Sequence, residues 1–213
     1  MVRPRSLILD YGNVLSRPQR GDVVARMAAR LEVSRANFEA MYVAERVAYD
    51  AGEPPEEYWR RVVARLGRDR LFSPALLAVM IEDDTASWGD YREEVWEIVA
   101  RFRARGGRAA FLSNNVPPLM AHLRAERSLD TVFDVVVASC EVGVAKPDAA
   151  IFERCLRALG VAPGEALFVD DHAPNIVAAE GLGIGTFLFE GDRAVGALGA
   201  RVEAWLGGRE GRA

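Results

Sequence analysis

Lysine is nearly missing from this 213-residue chain. Of its 27 basic residues, 26 are arginine, and the one lysine is Lys146. A compact ammonium and a planar guanidinium fork are not interchangeable, so this position is a candidate for chemistry that needs a point charge. Cysteine is scarce too: Cys140 and Cys155 stand without metal-ligand spacing or a disulfide framework, and they read as reduced core thiols of a cytoplasmic protein. No apolar run approaches the ~20 residues of a membrane span. The first one is cut short by Asp10, too soon for a signal peptide. A charge excess of one sign is also missing. With 27 basic and 31 acidic residues interspersed, net charge is −4, which excludes the basic patch of a nucleic-acid binder. Nothing in the composition chooses between a monomer and a homodimer.

Half of the residues are hydrophobic, enough for a sizeable core in one domain, or one domain with an insert. Residues 6–10 read as a short buried strand that delivers Asp10 to its C-terminal end, where Gly12 and Asn13 turn the chain. From about Arg17 to Trp88 the apolar spacing is helical throughout: Val23, Val24, Met27, Leu31; Phe38, Met41, Tyr42, Ala48; Tyr58, Trp59, Val62, Leu66; Leu76, Leu77, Met80. Ser34, Gly52, Pro54-Pro55, Gly67 and Ser73-Pro74 punctuate this stretch into four helices, the second running up to Gly52. After Trp88, helices alternate with strands at 108–112, 135–137, 166–169 and 186–189, and a last helix covers 192–206. The Gly-rich end after it is expected to fray.

Such alternation predicts an α/β fold: a parallel five-stranded sheet sandwiched by helices. Residues 1–16 and 89–213 would form a core domain, and 17–88 an inserted helical cap domain above the strand ends.

Four strand-end segments carry polar groups that packing alone would not select: Asp10 to Asn13, Ser113-Asn114-Asn115, Lys146, and Asp170 to Asn175. Each is a plausible turn by itself. In a parallel sheet, however, all four converge on one edge, where α/β ligands bind. Asp10, Asp170 and Asp171 would make a hard anionic site suited to Mg²⁺, which takes one or two carboxylates plus substrate phosphate. Ser113, the amides around it and Lys146 would meet phosphoryl oxygens. Asn114 and Asn115 are candidates to bind substrate. No basic patch or apolar span competes with a small phosphorylated metabolite as the partner.

These motifs, in this order, resemble the haloacid dehalogenase superfamily, in the subgroup with a small helical cap after the first motif. The resemblance spans nearly the whole chain. It implies a strand order of 5-4-1-2-3, Asp10 as nucleophile, Ser113 and Lys146 on the phosphate, and a metal held by Asp10, the Gly12 carbonyl, Asp170 and Asp171. Glu45 to Glu53 resembles the subgroup's cap loop, with Arg46 and Tyr49 as candidates to touch a polar substrate. The implied activity is Mg²⁺-dependent hydrolysis of a small phosphorylated metabolite, such as a sugar phosphate, through an aspartyl-phosphate. One residue departs from the pattern. Phosphatases of this superfamily usually carry a general-acid aspartate two places after the nucleophile, and here that place is Gly12. The departure leaves open a 2-haloacid dehalogenase, which needs no metal, and a non-catalytic binding protein. His172 is one candidate for a substitute acid, although a capping role explains it as well.

Overall fold

The computed structural model describes residues 5–207. Five strands, β1 (Ser6–Leu9), β2 (Arg108–Ser113), β3 (Val135–Ala138), β4 (Ala166–Asp170) and β5 (Gly185–Leu188), form an all-parallel sheet in the order β3-β2-β1-β4-β5. This is the predicted order, with β1 at the centre. Leu9 pairs with Phe111 on one side and Val169 on the other. Asp10 and Asp170, the residues after Leu9 and Val169, are therefore brought to the same edge, and Ser113 ends β2 there as well.

Strand side chains alternate between faces, and the core divides accordingly. Leu7 and Leu9 pack into one apolar cluster, with residues from α6 (Glu93–Ala104), α7 (Pro117–Arg127) and α12 (Val195–Gly207). Ile8, Ala110, Leu112 and Phe168 pack into a second, against α10 (Ala149–Leu159) and α11 (Ala173–Gly181). The central strands β1, β2 and β4 are buried on both faces, so they read as continuous apolar runs.

Between β1 and β2 lie α1 (Gly21–Arg30), α2 (Arg35–Ala44), α3 (Arg46–Asp50), α4 (Pro55–Arg65) and α5 (Pro74–Ser87). Ser34 and Ser73 cap their helices by accepting from the backbone N–H groups of Asn37 and Leu76. The chain enters and leaves this segment side by side: Ser16 bridges Tyr91, and the Arg17 amide donates to Asp90 O at 2.7 Å. Two further one-turn helices, α8 (Leu129–Val132) and α9 (Ser139–Val142), lie in stretches the sequence presents as loop. At four residues they are too short to show a period.

The second helix of the insert does not run unbroken to Gly52. It bends at Glu45, whose carboxylate accepts from Arg61 and Arg65 of α4 at 3.0 and 3.1 Å. The bend lets two sets of aromatics pack on the same helix: Phe38 and Tyr42 against Trp59, and Tyr49 stacked on Tyr58 at 4.2 Å. Packing on α4 overrides the local propensity for one straight helix. Gly52 follows with φ +100°, and a Cβ there would lie 2.5 Å from the Cys140 carbonyl oxygen. Only glycine lets this turn approach α9 so closely. The expectation for the Gly-rich C-terminal end lies outside the described residues.

Candidate active site

The ladder between β1 and β4 extends one residue beyond β1, where the Asp10 amide donates to Val169 O at 3.0 Å. The chain then turns tightly through Tyr11–Leu15, with Asn13 in the left-handed region at φ 56°. That turn aims the Asn13 amide at Asp171, donating to its Oδ2 at 2.8 Å. β4 ends in Asp170, which is fully buried and surrounded by donors. Its oxygens accept from the His172 amide at 2.8 Å, from Asn175 Nδ2 at 3.1 Å each, and from Lys146 Nζ at 2.6 Å.

Lys146 Nζ also lies 2.8 Å from Asp10 Oδ1, so one buried ammonium joins both carboxylates. Burial, joined by the nearby Asp170, raises the Asp10 carboxyl to about 6 against the pull of Lys146 and Ser113. Burial works against the Lys146 ammonium, yet attraction to Asp10 and Asp170 outweighs it and lifts the group above its ordinary value.

Four of the expected residues thus meet: Asp10, Ser113, Lys146 and Asp170. Asp171 stands beside them, half-buried, and ligand atoms of Asp10, Asp170 and Asp171 lie within 4.8 Å of one another. Three carboxylates face one ammonium. Asp10 Oδ1 is buried, and apart from the ion pair it has no aligned hydrogen bond. An all-oxygen, net-negative set with an under-satisfied anionic oxygen fits a hard divalent cation such as Mg²⁺.

Asn114, a candidate to bind substrate, lines a cleft beside Gly12 and is also tied to the Lys146 backbone. Its Nδ2 donates to Lys146 O at 2.8 Å, and its Oδ1 accepts from the Lys146 amide at 2.7 Å. Both ends of the side chain are spent fixing the lysine. Asn115 is buried; its Oδ1 accepts from Val116 N while its Nδ2 has no partner. Beside Gly12 a small cleft of about 50 Å³ is lined by Trp88, Ser113, Asn115 and Arg46, among others. Arg46 is held there by Asp50 and by the Tyr42 hydroxyl at 2.9 Å. Tyr49 is not part of this lining. It is 1% exposed, stacked on Tyr58, with the Arg46 guanidinium 5.5 Å above its ring. Residues 46 and 49 share a helical face, and that face divides between cleft and core. His172 is exposed at the start of α11, where its backbone N–H, not its ring, serves Asp170.

Sequence reasoning assigned no role to Asn13 or Asn175, which orient Asp171 and Asp170. The available signal was that four of five asparagines follow apolar runs.

A family model for haloacid dehalogenase-like hydrolases matches residues 13–183. The chain belongs to the haloacid dehalogenase-like hydrolases. It is 43% identical over 94 residues to mouse acyl-CoA dehydrogenase family member 10, a stretch covering 42% of this chain and 8% of that protein. It is 40% identical over 79 residues to the phosphoserine phosphatase of Thermus thermophilus, covering 37% and 32%. The chain thus spans no more than about a third of either curated relative. Among solved structures, a haloacid dehalogenase-family enzyme of Bacteroides thetaiotaomicron, in complex with magnesium and inorganic phosphate, superposes with a TM-score of 0.70 at 19% identity, covering 89% of this chain and 96% of that one. At that identity the likeness speaks for the fold. This member of the family is a hydrolase, and no helix among its described residues is long and apolar enough to cross a membrane.

Proposed function

We propose that this hydrolase is a Mg²⁺-dependent phosphatase of a small phosphorylated metabolite, working through an aspartyl-phosphate on Asp10. The observation that carries the reading is Lys146 Nζ set 2.8 Å from Asp10 and 2.6 Å from Asp170 at the strand ends, with Asp171 alongside. A phosphoserine phosphatase among the relatives supports phosphoryl chemistry. A structural neighbour that holds magnesium and phosphate supports the metal.

Asp10, the Gly12 carbonyl, Asp170 and Asp171 are the groups that would hold Mg²⁺. When bound, the ion would neutralise the oxygens of the transferring phosphoryl group. The chain's own residues do the rest. An Asp10 carboxylate oxygen attacks phosphorus, and the phosphorus–oxygen bond to the leaving group breaks. Lys146 and Ser113 donate to the phosphoryl oxygens and hold them in line. Water then attacks the aspartyl-phosphate, releasing phosphate and restoring the carboxylate. Asn114 acts here as a positioning residue for Lys146, and Asn13 and Asn175 do the same for Asp171 and Asp170. Residues 17–88 serve as the cap. They bring Arg46 and Trp88 over the strand ends and keep bulk water off the phosphoryl group until the leaving group has gone.

A panel of phosphate esters assayed with Mg²⁺ and with EDTA tests the reading. Turnover should require Mg²⁺ and vanish in Asp10→Asn. Undiminished turnover by Asp10→Asn, or none on any ester, would overturn it. Metal-independent chloride release from 2-chloropropionate would favour a dehalogenase instead.

A further inference from the structure

Gly12 is the residue that most limits a phosphatase reading, and its surroundings say what kind of substrate remains. Neither backbone nor space requires glycine at this position. Its φ of −57° and ψ of 131° suit any residue, and a Cβ would meet only two Trp88 ring carbons at 3.7 and 4.0 Å. A side chain there could be accommodated, so the missing group is a chemical fact about the cleft and not a by-product of its fold.

The cleft offers no replacement acid among the described residues. The Tyr11 hydroxyl donates to the Trp88 carbonyl at 2.5 Å, and burial pushes it far above its ordinary range. Asn114 has both amide ends committed to the Lys146 backbone. Ser113 serves Asp10. Trp88 and Leu119 have no ionisable group to offer. Behind Arg46, the Tyr42 hydroxyl is committed to Asp84 at 2.6 Å. His172 is exposed and not among the lining residues.

Two groups remain. The first is the buried, unpartnered Nδ2 of Asn115. The second is the Arg46 guanidinium, fixed by Asp50 and Tyr42. An amide and a guanidinium share one property. They donate hydrogen bonds to a developing oxyanion, but neither surrenders a proton at physiological pH. A buried donor left unpartnered carries a desolvation cost until a ligand oxygen arrives.

We propose that the enzyme acts on phosphates whose leaving oxygen is already a stable anion, namely acyl, enol or aryl phosphates, and expels it unprotonated against Asn115 and Arg46. This rests on the phosphatase reading above. The bond from phosphorus to Asp10 forms as the bond to the leaving oxygen breaks. The electron pair departs with that oxygen, and the resulting anion takes its proton from water after leaving the cleft. Simple alkyl phosphates, which include phosphoserine, lack a stable leaving anion and are poor substrates.

A leaving-group series tests this: aryl phosphates of graded acidity, acetyl phosphate, glycerol phosphate and phosphoserine, all with Mg²⁺. In the wild-type protein kcat/KM should fall steeply as the leaving group becomes less acidic. Gly12→Asp, which supplies a proton donor, should raise the ratio of kcat/KM on alkyl esters to that on aryl esters by about 10²–10⁴-fold. Arg46→Met should lower kcat/KM by about 10²–10³-fold, most for the poorer leaving groups. A flat series, or phosphoserine cleaved as fast as an aryl phosphate, overturns this inference alone. No turnover anywhere in the series overturns the phosphatase reading and this inference with it. The wild-type series is decisive even if a variant fails to fold.

Discussion

Two buried networks in this protein combine one base with two acids, and they balance charge differently. At the strand ends Lys146 touches both partners directly, 2.8 Å from Asp10 and 2.6 Å from Asp170. In the inserted helices Arg46 touches Asp50 at 2.9 Å, but a tyrosine stands between it and Asp84. Tyr42 accepts from Arg46 at 2.9 Å and donates to Asp84 at 2.6 Å. The first arrangement keeps charges in contact beside an open cleft, with Asp171 adding negative charge. It is suited to meeting a cation and a phosphate. The second passes the interaction through a neutral hydroxyl. It is suited to holding an arginine in place, and it leaves Asp84 desolvated with its carboxyl pushed above the usual range by burial, against the pull of Arg46 and the Tyr42 hydrogen bond. Direct contact builds a reactive centre, whereas the relay builds a support.

The direct pair should be the costlier to break. Lys146→Met leaves two adjacent buried carboxylates without their cation, and removing one partner of a buried ion pair typically costs about 3–5 kcal/mol. Urea denaturation in EDTA should show a loss of that size, and added Mg²⁺ should return part of it. A loss below about 1 kcal/mol, judged against that same range, would mean that the carboxylates are already screened and would erase the distinction between the networks.

The relay should cost less. Tyr42→Phe removes the hydroxyl that donates to Asp84 and accepts from Arg46 and from Gln19 at 3.2 Å. One buried acceptor loses its partner, for about 1–3 kcal/mol. Because Arg46 loses a tether, kcat/KM on the poorer leaving groups should fall, by less than in Arg46→Met. An effect on kcat as large as that of Asp10→Asn would place Tyr42 in the chemistry and break the contrast.

How much of this is legible from the residues depends on what each residue must do. Asp10, Ser113, Lys146 and Asp170 follow directly from strand patterning, because parallel strands end on one edge and polar groups there have few packing reasons to exist. The sheet order was readable only through the family resemblance, since period and length do not choose neighbours. The caps Ser34 and Ser73 are local, and they appear where the sequence puts them. The relay is not legible. Asp83 and Asp84 are both buried, Asp83 held by Arg26 and Arg30 from α1, and nothing local announces those partners. Tyr49 and Arg46 are three residues apart on a helix, and no period says which points into a cleft and which into a stack. Asn114 reads as a turn residue beside the site, and nothing local shows that its amide also fixes the Lys146 backbone, 32 residues away. These roles depend on tertiary partners that local sequence does not encode.

The smallest expected effect lies in the pH dependence of the relay. The folded-state pKa of Asp84 is raised above its ordinary 3.8. Over the window from 3.8 up to that raised value the native state therefore holds more proton than the unfolded chain. Stability from this group is fully present below 3.8 and is lost as pH rises through the folded value. Asp84→Asn keeps an acceptor for the Tyr42 hydroxyl and removes the titration. Relative to wild type, the variant should therefore gain stability as pH rises from below 3.8 to neutrality, by less than Tyr42→Phe loses. Paired urea denaturation curves at several pH values measure the difference directly. Because Asp10 and the other carboxylates titrate in both proteins, their contributions cancel. A difference that stays flat across the window would mean that the Tyr42 hydroxyl and Arg46 fully offset the burial of Asp84, and the contrast between relay and direct pair would fall.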